Sequence, residues 1–514
     1  MSKTIIIIGA GLAGLSAALQ AAENGCNVKL VSSFPSERAQ SVMAEGGINA
    51  ALNTKDKNDS PEEHFTDTIK AACGLADPNA VWGMTQAAPE LVHWLLKLGV
   101  KFNMSGYDDV DLRNFGGQKK KRTAFAQSDT GKQIMTAMID AVRRKEASGM
   151  VERFSHHSFL TLRLCGNICC GCVIRDEYSQ ETVELPGDAV IVATGGMHGL
   201  FGNTTGSLSN TGEVTAELFR LGVPLANGEM IQYHPTTVKC GGKRMLISEA
   251  ARGEGGRLFA MKDGKQWYFM EEKYPELGNL MPRDITAREI WKVSHESEVF
   301  LDMTEISEEI ISNKLSGLAD DCMTYLHKDI RKEPVSVLPG IHYFMGGILV
   351  DEQHRTPIQN LCAAGECCAQ YHGANRLGGN SLLGALYGGR VAAKSACEQA
   401  DVVDLSCATQ IDFPPASQIS EIKQLNKVMQ ETMGVVRNEN TLLNGIQTVQ
   451  ALTGNLPLLG MAVLKSALAR KESRGAHWRE DYPKSNDDDY LKTTVARFDG
   501  KQIQISFVPV PERR

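Results

Sequence analysis

An α/β fold built on a parallel sheet, interrupted by an inserted α+β segment and followed by a helical region, is predicted by three features of this 514-residue chain. The first is the amino terminus. Ile5 to Ile8 is an unbroken β-branched run, as expected for a central parallel strand. It enters Gly9-Ala10-Gly11-Leu12-Ala13-Gly14, and a small-residue helix over about Leu15 to Asn24 leads to a second strand, Val28 to Val31. That is one βαβ unit. The second feature is a pair of later strands, Asp188 to Ala193 and a segment around Leu361 to Gly365. They end in Thr194-Gly195-Gly196 and Glu366, and such strand ends are where α/β sheets hold ligands. The third is the distance between these strands, which requires an insertion.

The insertion is placed at 229–345, between two parts of the sheet domain at 1–228 and 346–410. From about 411 to 514 the composition changes. Ile419, Ile422, Leu425, Val428 or Met429, Thr432 and Val436 recur at helical spacing, and a second helix is expected over Leu459 to Lys471. The last stretch, with Asp487-Asp488-Asp489 and Pro509 to Arg514, reads as an exposed tail.

Bulk composition excludes several classes. With 42% hydrophobic and 22% charged residues the chain is globular, and its length calls for more than one core. A formal charge of −7 argues against a broad nucleic-acid surface. The uncharged stretch Ile5 to Ala22 mimics a signal peptide or membrane span, but glycines at fingerprint spacing and a following strand identify it as strand, turn and helix. Thirteen cysteines, an odd count without a secretion signal, favour free thiols in a reducing cytoplasm. Cys165, Cys169, Cys170 and Cys172 match no four-ligand metal spacing. Gly166-Asn167 between alternating stretches predicts a β-hairpin there instead.

The glycine fingerprint carries a mechanism. Its glycines permit a tight turn, close approach of backbone to a pyrophosphate and close helix packing, with the helix amino terminus facing the phosphate charge. The domain is therefore a Rossmann-like dinucleotide site. The acidic residue usual at the end of the second strand is absent, and Ser32 and Ser33 stand there to bond a ribose. Ala44-Glu45-Gly46-Gly47 supplies a second glycine-rich turn.

Five further segments are dense in His, Arg and Glu: Gln232-Tyr233-His234-Pro235-Thr236, Ser248 to Gly256, Pro282-Arg283-Asp284, His342 to Gly347, and His372 to Leu383. A lone buried histidine is more often structural than catalytic, and Pro-Arg-Asp alone is a capped helix start. In this order, and with Lys471 to His477 after them, the segments resemble the flavoprotein subunit family of fumarate reductases and succinate dehydrogenases, which includes L-aspartate oxidase. The resemblance covers nearly the whole chain. It implies an FAD-binding domain, an inserted capping domain that closes over the substrate, and a C-terminal helical domain shortened relative to longer members.

The resemblance also implies roles. Around FAD it places Gly9, Ala10, Gly11, Gly14, Ser32, Ser33, Gln40, Ser41, Ala44, Gly46, Gly47, Ala193, Thr194, Gly195, Glu213, His342, Glu366, Arg376, Ser381 and Leu382. His342 and Arg376 hold one substrate carboxylate and His234 and Ser248 the other, with Gly47 and Phe115 beside them. Arg283 is the proton donor, recharged through Glu249 and Arg252. Reducing fumarate needs a hydride at one alkene carbon, which reduced flavin supplies, and a proton at the other. A guanidinium ordinarily keeps its proton, so on residue chemistry alone Arg283 is a substrate clamp.

Departures from the family pattern matter as well. Many members attach FAD through a histidine a few residues before the Gly-Gly. Gln40 stands there, and an amide cannot form that bond, so FAD is expected to be noncovalent. Loss of the covalent substituent lowers the flavin potential and favours reduction. Ser248 replaces a frequent Thr, Glu213 a frequent Asp, and Phe344 a small polar residue, which is expected to reshape the pocket. Arg474 and His477 read as domain contacts.

The expected activity is reduction of fumarate to succinate. Alternatives are reduction of another unsaturated carboxylate, succinate dehydrogenation, L-aspartate oxidation and a non-catalytic flavin-binding module. The chain has no CxxCH haem site, ferredoxin-like cysteine run or second flavin module, so an iron–sulfur subunit is the expected electron-transfer partner. The expected location is cytoplasmic, reaching a membrane only through a partner.

Overall fold

The computed structural model describes residues 2–55, 58–106, 109–399, 413 and 418–514. The expected boundary at 410/411 lies outside the described residues. Five parallel strands form the central sheet in the order Leu361–Ala363, Ala189–Val192, Thr4–Ile8, Asn27–Ser32 and Val151–Ser155. Ile5 to Ile8 are at most 3% exposed, which explains why the run is apolar throughout instead of alternating. Helix Leu12–Glu23 follows the glycine turn, starting earlier than the expected Leu15. Helix Asn380–Gln399 packs beside it, with Ser16 Oγ donating to the Leu386 carbonyl.

The cysteine-rich segment is a hairpin, His157–Cys165 with Ile168–Asp176, extended by Thr182–Pro186 into a three-stranded sheet. Cys169 and Cys172 are buried in its packing face. Eleven described cysteines are free thiols, whereas Cys165 is disulfide-bonded.

Between the sheet strands, Ile231–Cys240 pairs with Lys243–Leu246 and Leu338–Phe344. A four-stranded sheet and helix Arg283–Val293 complete this α+β unit around their own apolar cluster. Helices Ile419–Thr432, Glu439–Val449 and Asn455–Ala469 share another core with Phe201, Ile231 and Phe344.

Asp487 to Asp489, Pro509 and Pro511 to Arg514 are exposed, as expected, but the stretch between them is not a tail. Lys492–Phe498 and Ile503–Pro509 form a hairpin that joins Leu225–Ala226, and Val495 and Ala496 are buried. The Asp499-Gly500 turn, with Gly500 at φ +90°, marks that hairpin. No described helix is long and apolar enough to cross a membrane.

Candidate active site

A single cavity of about 650 Å³ runs from the fingerprint turn to the interior of the α+β unit. At its outer end the backbone comes too close for side chains. A Cβ on Gly9 would sit 2.3 Å from the Ala193 carbonyl oxygen, and one on Gly14 1.9 Å from the Gly9 carbonyl. Gly14 thus lets the helix approach the strand and does not itself line the cavity. Gly11 begins the helix with no side-chain cap, which leaves backbone N–H groups facing the cavity. Ser41 Oγ accepts from the Leu12 N–H at 3.3 Å. Ser32 Oγ is buried with no protein partner. A glycine turn into a helix amino terminus and an orphaned hydroxyl at the strand end fit a dinucleotide pyrophosphate and ribose.

The cavity wall continues through Ser33, Gln40, Ala44, Gly46, Gly47, Thr194, Gly195 and Glu213, then Glu366, Ser381 and Leu382. Ala10 and Ala193 line it as well. Gln40 Oε1 accepts from the Ser207 N–H, so the amide at the expected attachment position is held by the opposite loop. Phe115 packs its ring against Gly46, where a Cβ would lie 2.7 Å from Cζ.

At the inner end the sequence-predicted charges converge. Glu249 opens a short helix that Ser248 caps, its Oγ accepting from the Ala250 N–H at 3.4 Å. Its Oε2 accepts from Arg283 Nε at 2.8 Å and lies 2.6 Å from Arg283 Nη2. Its Oε1 accepts from the Gly116 N–H at 3.0 Å and stands 3.7 Å from Arg252 Nη2. Burial pushes the Glu249 carboxyl up, but Arg283 and Arg252 together hold it below the ordinary value. It is therefore a carboxylate pinned between two guanidiniums. Arg252 lies behind this pair, not on the cavity wall, and donates to the Asn279 carbonyl at 2.6 Å.

His234 and His342 face each other with ring centroids 5.1 Å apart. His342 Nδ1 lies 2.8 Å from Thr205 Oγ1, and His234 Nε2 is buried with no protein partner. Burial first, and Arg283 second, push both imidazoles well below their ordinary value, so both are neutral at physiological pH. The Arg376 guanidinium lies 4.2 Å from the Tyr343 ring centroid, and its Nε is unpartnered. Burial, then repulsion from Arg283, lowers it to about 9. Arg376 Nε and His234 Nε2 are thus polar atoms that the chain leaves unpaired.

Three neighbours escaped the sequence reading. Gln232 Oε1 accepts from Arg283 Nη1 at 3.1 Å, while its Nε2 donates to the Arg376 carbonyl at 2.9 Å. Strand alternation puts Gln232 on the face of His234, a signal that was present. Thr205 orients His342 from a distant loop and has no such signal. Glu45 sits in the cavity wall with Oε2 enclosed and unpartnered. Burial pushes its carboxyl up to about 8, aided by Asp321 and Asp129 and opposed by Ser248 and Arg113.

Phe344 corrects an expectation. It does not line the cavity. Its side chain is buried against His198 and Phe201 at centroid distances of 4.9 and 5.6 Å. Arg474 meets the expectation of a domain contact, whereas the His477 ring bonds within the C-terminal region. Arg474 Nη1 donates to the Cys73 carbonyl at 3.2 Å, and His477 Nδ1 lies 2.9 Å from Arg437 Nη1.

The FAD binding domain family matches residues 4–382, and the fumarate reductase flavoprotein C-terminal family matches 452–513. The succinate dehydrogenase flavoprotein subunit of Bacillus subtilis is 38% identical over 100% of this chain and 98% of its own. The 8-methylmenaquinol:fumarate reductase flavoprotein subunit of Wolinella succinogenes is 32% identical, covering 100% and 92%. Among solved structures, a point variant of E. coli quinol fumarate reductase FrdA superposes with a TM-score of 0.90 at 27% identity, covering 99% of this chain and 97% of that one. Mycobacterium smegmatis Sdh1 in complex with UQ1 follows at 0.83 and 29%, covering 100% and 95%.

Proposed function

The chain belongs to the flavoprotein family of fumarate reductases and succinate dehydrogenases, FAD-dependent oxidoreductases, and from that premise we propose that it reduces fumarate to succinate. The observation that carries this reading is the charge balance of the inner cavity. Arg252, Arg283 and Arg376 outnumber there the carboxylates of Glu249 and Glu366, beside two neutral histidines. A small dicarboxylate meets that excess of cations.

In this reading His342 and Arg376 bind one carboxylate of fumarate and His234 and Ser248 the other. Arg suits that task because its planar fork meets a carboxylate with paired donors. Bound FAD supplies the hydride. Arg283 delivers the proton to the other alkene carbon, Glu249 returns one to it, and Arg252 feeds Glu249 from behind. Gln232 keeps Arg283 in register with the Arg376 loop. Closure of the site strengthens each of these interactions, since they act in a water-poor cavity. With Gln40 at the attachment position FAD is noncovalent, so acid precipitation leaves the yellow colour in the supernatant. Electrons arrive from a separate iron–sulfur subunit, in keeping with relatives named as subunits.

A second reading is succinate dehydrogenation, favoured by the 38% identical relative named for that activity. The same residues serve the reverse step.

The test is anaerobic oxidation of reduced methyl viologen by the FAD-loaded protein with fumarate. Turnover is expected, and Arg283→Ala should lower it by about 10²–10⁴, the span of general acid catalysis. Unchanged turnover in the variant rejects Arg283 as donor. Succinate oxidation with an artificial acceptor, without fumarate turnover, selects the second reading.

A further inference from the structure

Away from the cavity two thiols stand against each other. Cys26 lies in the turn between helix Leu12–Glu23 and strand Asn27–Ser32, and Cys397 lies near the end of helix Asn380–Gln399. They are 371 residues apart in sequence, and their Sγ atoms are 3.0 Å apart. A disulfide bond is about 2.0 Å long, so closure needs an approach of roughly one ångström. Both are free thiols.

Their carriers cannot drift apart easily. The two helices interlock through small residues, with a Cβ on Gly389 falling 2.3 Å from the Ala13 carbonyl oxygen. Ser16 Oγ donates to the Leu386 carbonyl at 2.7 Å. Lys3 Nζ donates to the Cys397 carbonyl at 2.7 Å and sets an ammonium beside its thiol. Cys26 is 5% exposed, whereas Cys397 is only partly buried. The two positions therefore differ in access, as an attacked and a resolving cysteine should.

We propose that Cys26 and Cys397 form a reversible thiol–disulfide site, oxidised by hydrogen peroxide, that staples together the two helices whose amino-terminal ends meet the cavity. The Cys397 thiolate attacks one peroxide oxygen. The O–O bond breaks, one water leaves, and Cys397 becomes a sulfenic acid. Cys26 then attacks that sulfur, the S–S bond forms, the S–O bond breaks, and a second water leaves. Two thiols are oxidised to one disulfide and one peroxide is reduced to two waters. A small thiol reductant reverses the process by exchange. Burial, then the contact with Cys26, pushes the Cys397 thiol up to about 12. The first step is accordingly slow and the second fast, because its partner is already in place. The site records sustained oxidation.

The test uses the FAD-loaded protein titrated with hydrogen peroxide until the partly buried Cys240 is oxidised, then unfolded in iodoacetamide and digested without reductant. A Cys26–Cys397 cross-linked peptide, released by dithiothreitol, is expected, together with a rise in melting temperature that the reductant reverses. In Cys26→Ser the rise is lost and dimedone labels Cys397. Recovery of both cysteines alkylated at that dose overturns the proposal, as does conversion of Cys397 to sulfinic acid in the unsubstituted protein.

Discussion

Arg470 and Arg283 are both buried guanidiniums beside a glutamate, in surroundings of opposite kind. Arg470 donates to Glu229 and Glu472 at 2.7 Å each, to the Tyr490 and Lys492 carbonyls, and to Thr494. Glu472 in turn accepts from Arg474 at 2.8 and 2.9 Å. Around Arg283, by contrast, His234 Nε2 and Arg376 Nε line the cavity and lack a protein hydrogen-bond partner. The C-terminal cluster has orphans too, Glu229 Oε2 and Arg437 Nη2, but neither residue lines the cavity. The same residue types thus build a closed tie in one place and an open receptor in the other. Buried polar groups are ordinarily satisfied, so orphans gathered around a cavity point to a missing ligand.

The largest expected effect separates the two regions by substituting a glutamate in each. Glu249→Gln removes the carboxylate between Arg283 and Arg252 and should lower fumarate turnover by about 10²-fold or more. Glu472→Gln should leave kcat and KM as they are. It removes the charge shared by Arg470 and Arg474, which keep Glu229 and Asp487, so the loss of stability should stay below the about 3–5 kcal/mol of a broken buried pair. Steady-state kinetics and denaturant melts on both variants check this. Equal kinetic loss in the two would erase the distinction between tie and receptor.

A smaller effect is expected where the sequence reading went astray. Phe344→Ala should cost about 3–5 kcal/mol through the cavity it leaves in the core, with KM for fumarate unchanged. A changed KM at full stability would return Phe344 to the pocket.

The glycine fingerprint, the individual parallel strands and the separate pieces of the Arg–Glu–Arg set were legible because each lies in a short contiguous segment. Gly9 and Gly14 announce a close approach that no other residue allows, and Glu249 and Arg252 are one helical turn apart. What stayed hidden depends on chain order in space. Thr205 reaches His342 across 137 residues. Phe344 shares the strand parity of the cavity-lining His342 yet packs on His198 and Phe201, which alternation alone does not foretell. The terminal hairpin was masked by its acidic neighbours Asp487 to Asp489, although Asp499-Gly500 marked its turn.

Glu45 offers the smallest and sharpest probe, since it is neither tied nor matched to an Arg pair. Its carboxyl is pushed up to about 8 by burial, then by Asp321 and Asp129, against an ordinary value of 4.5. Between those values the folded protein retains a proton that the unfolded chain has released. Stability should therefore be greatest below about 4.5 and decline as pH rises through about 8. Glu45 is only half-buried, so cavity water screens its charge and the decline is modest. Glu45→Gln cannot ionise, and its melting temperature should lose this part of the slope while keeping the rest of the pH profile. Identical slopes in both proteins would mean that the carboxyl finds a counter-charge within the cavity. The wall around Ser248 and Arg113 would then be a second tie and not part of the open receptor.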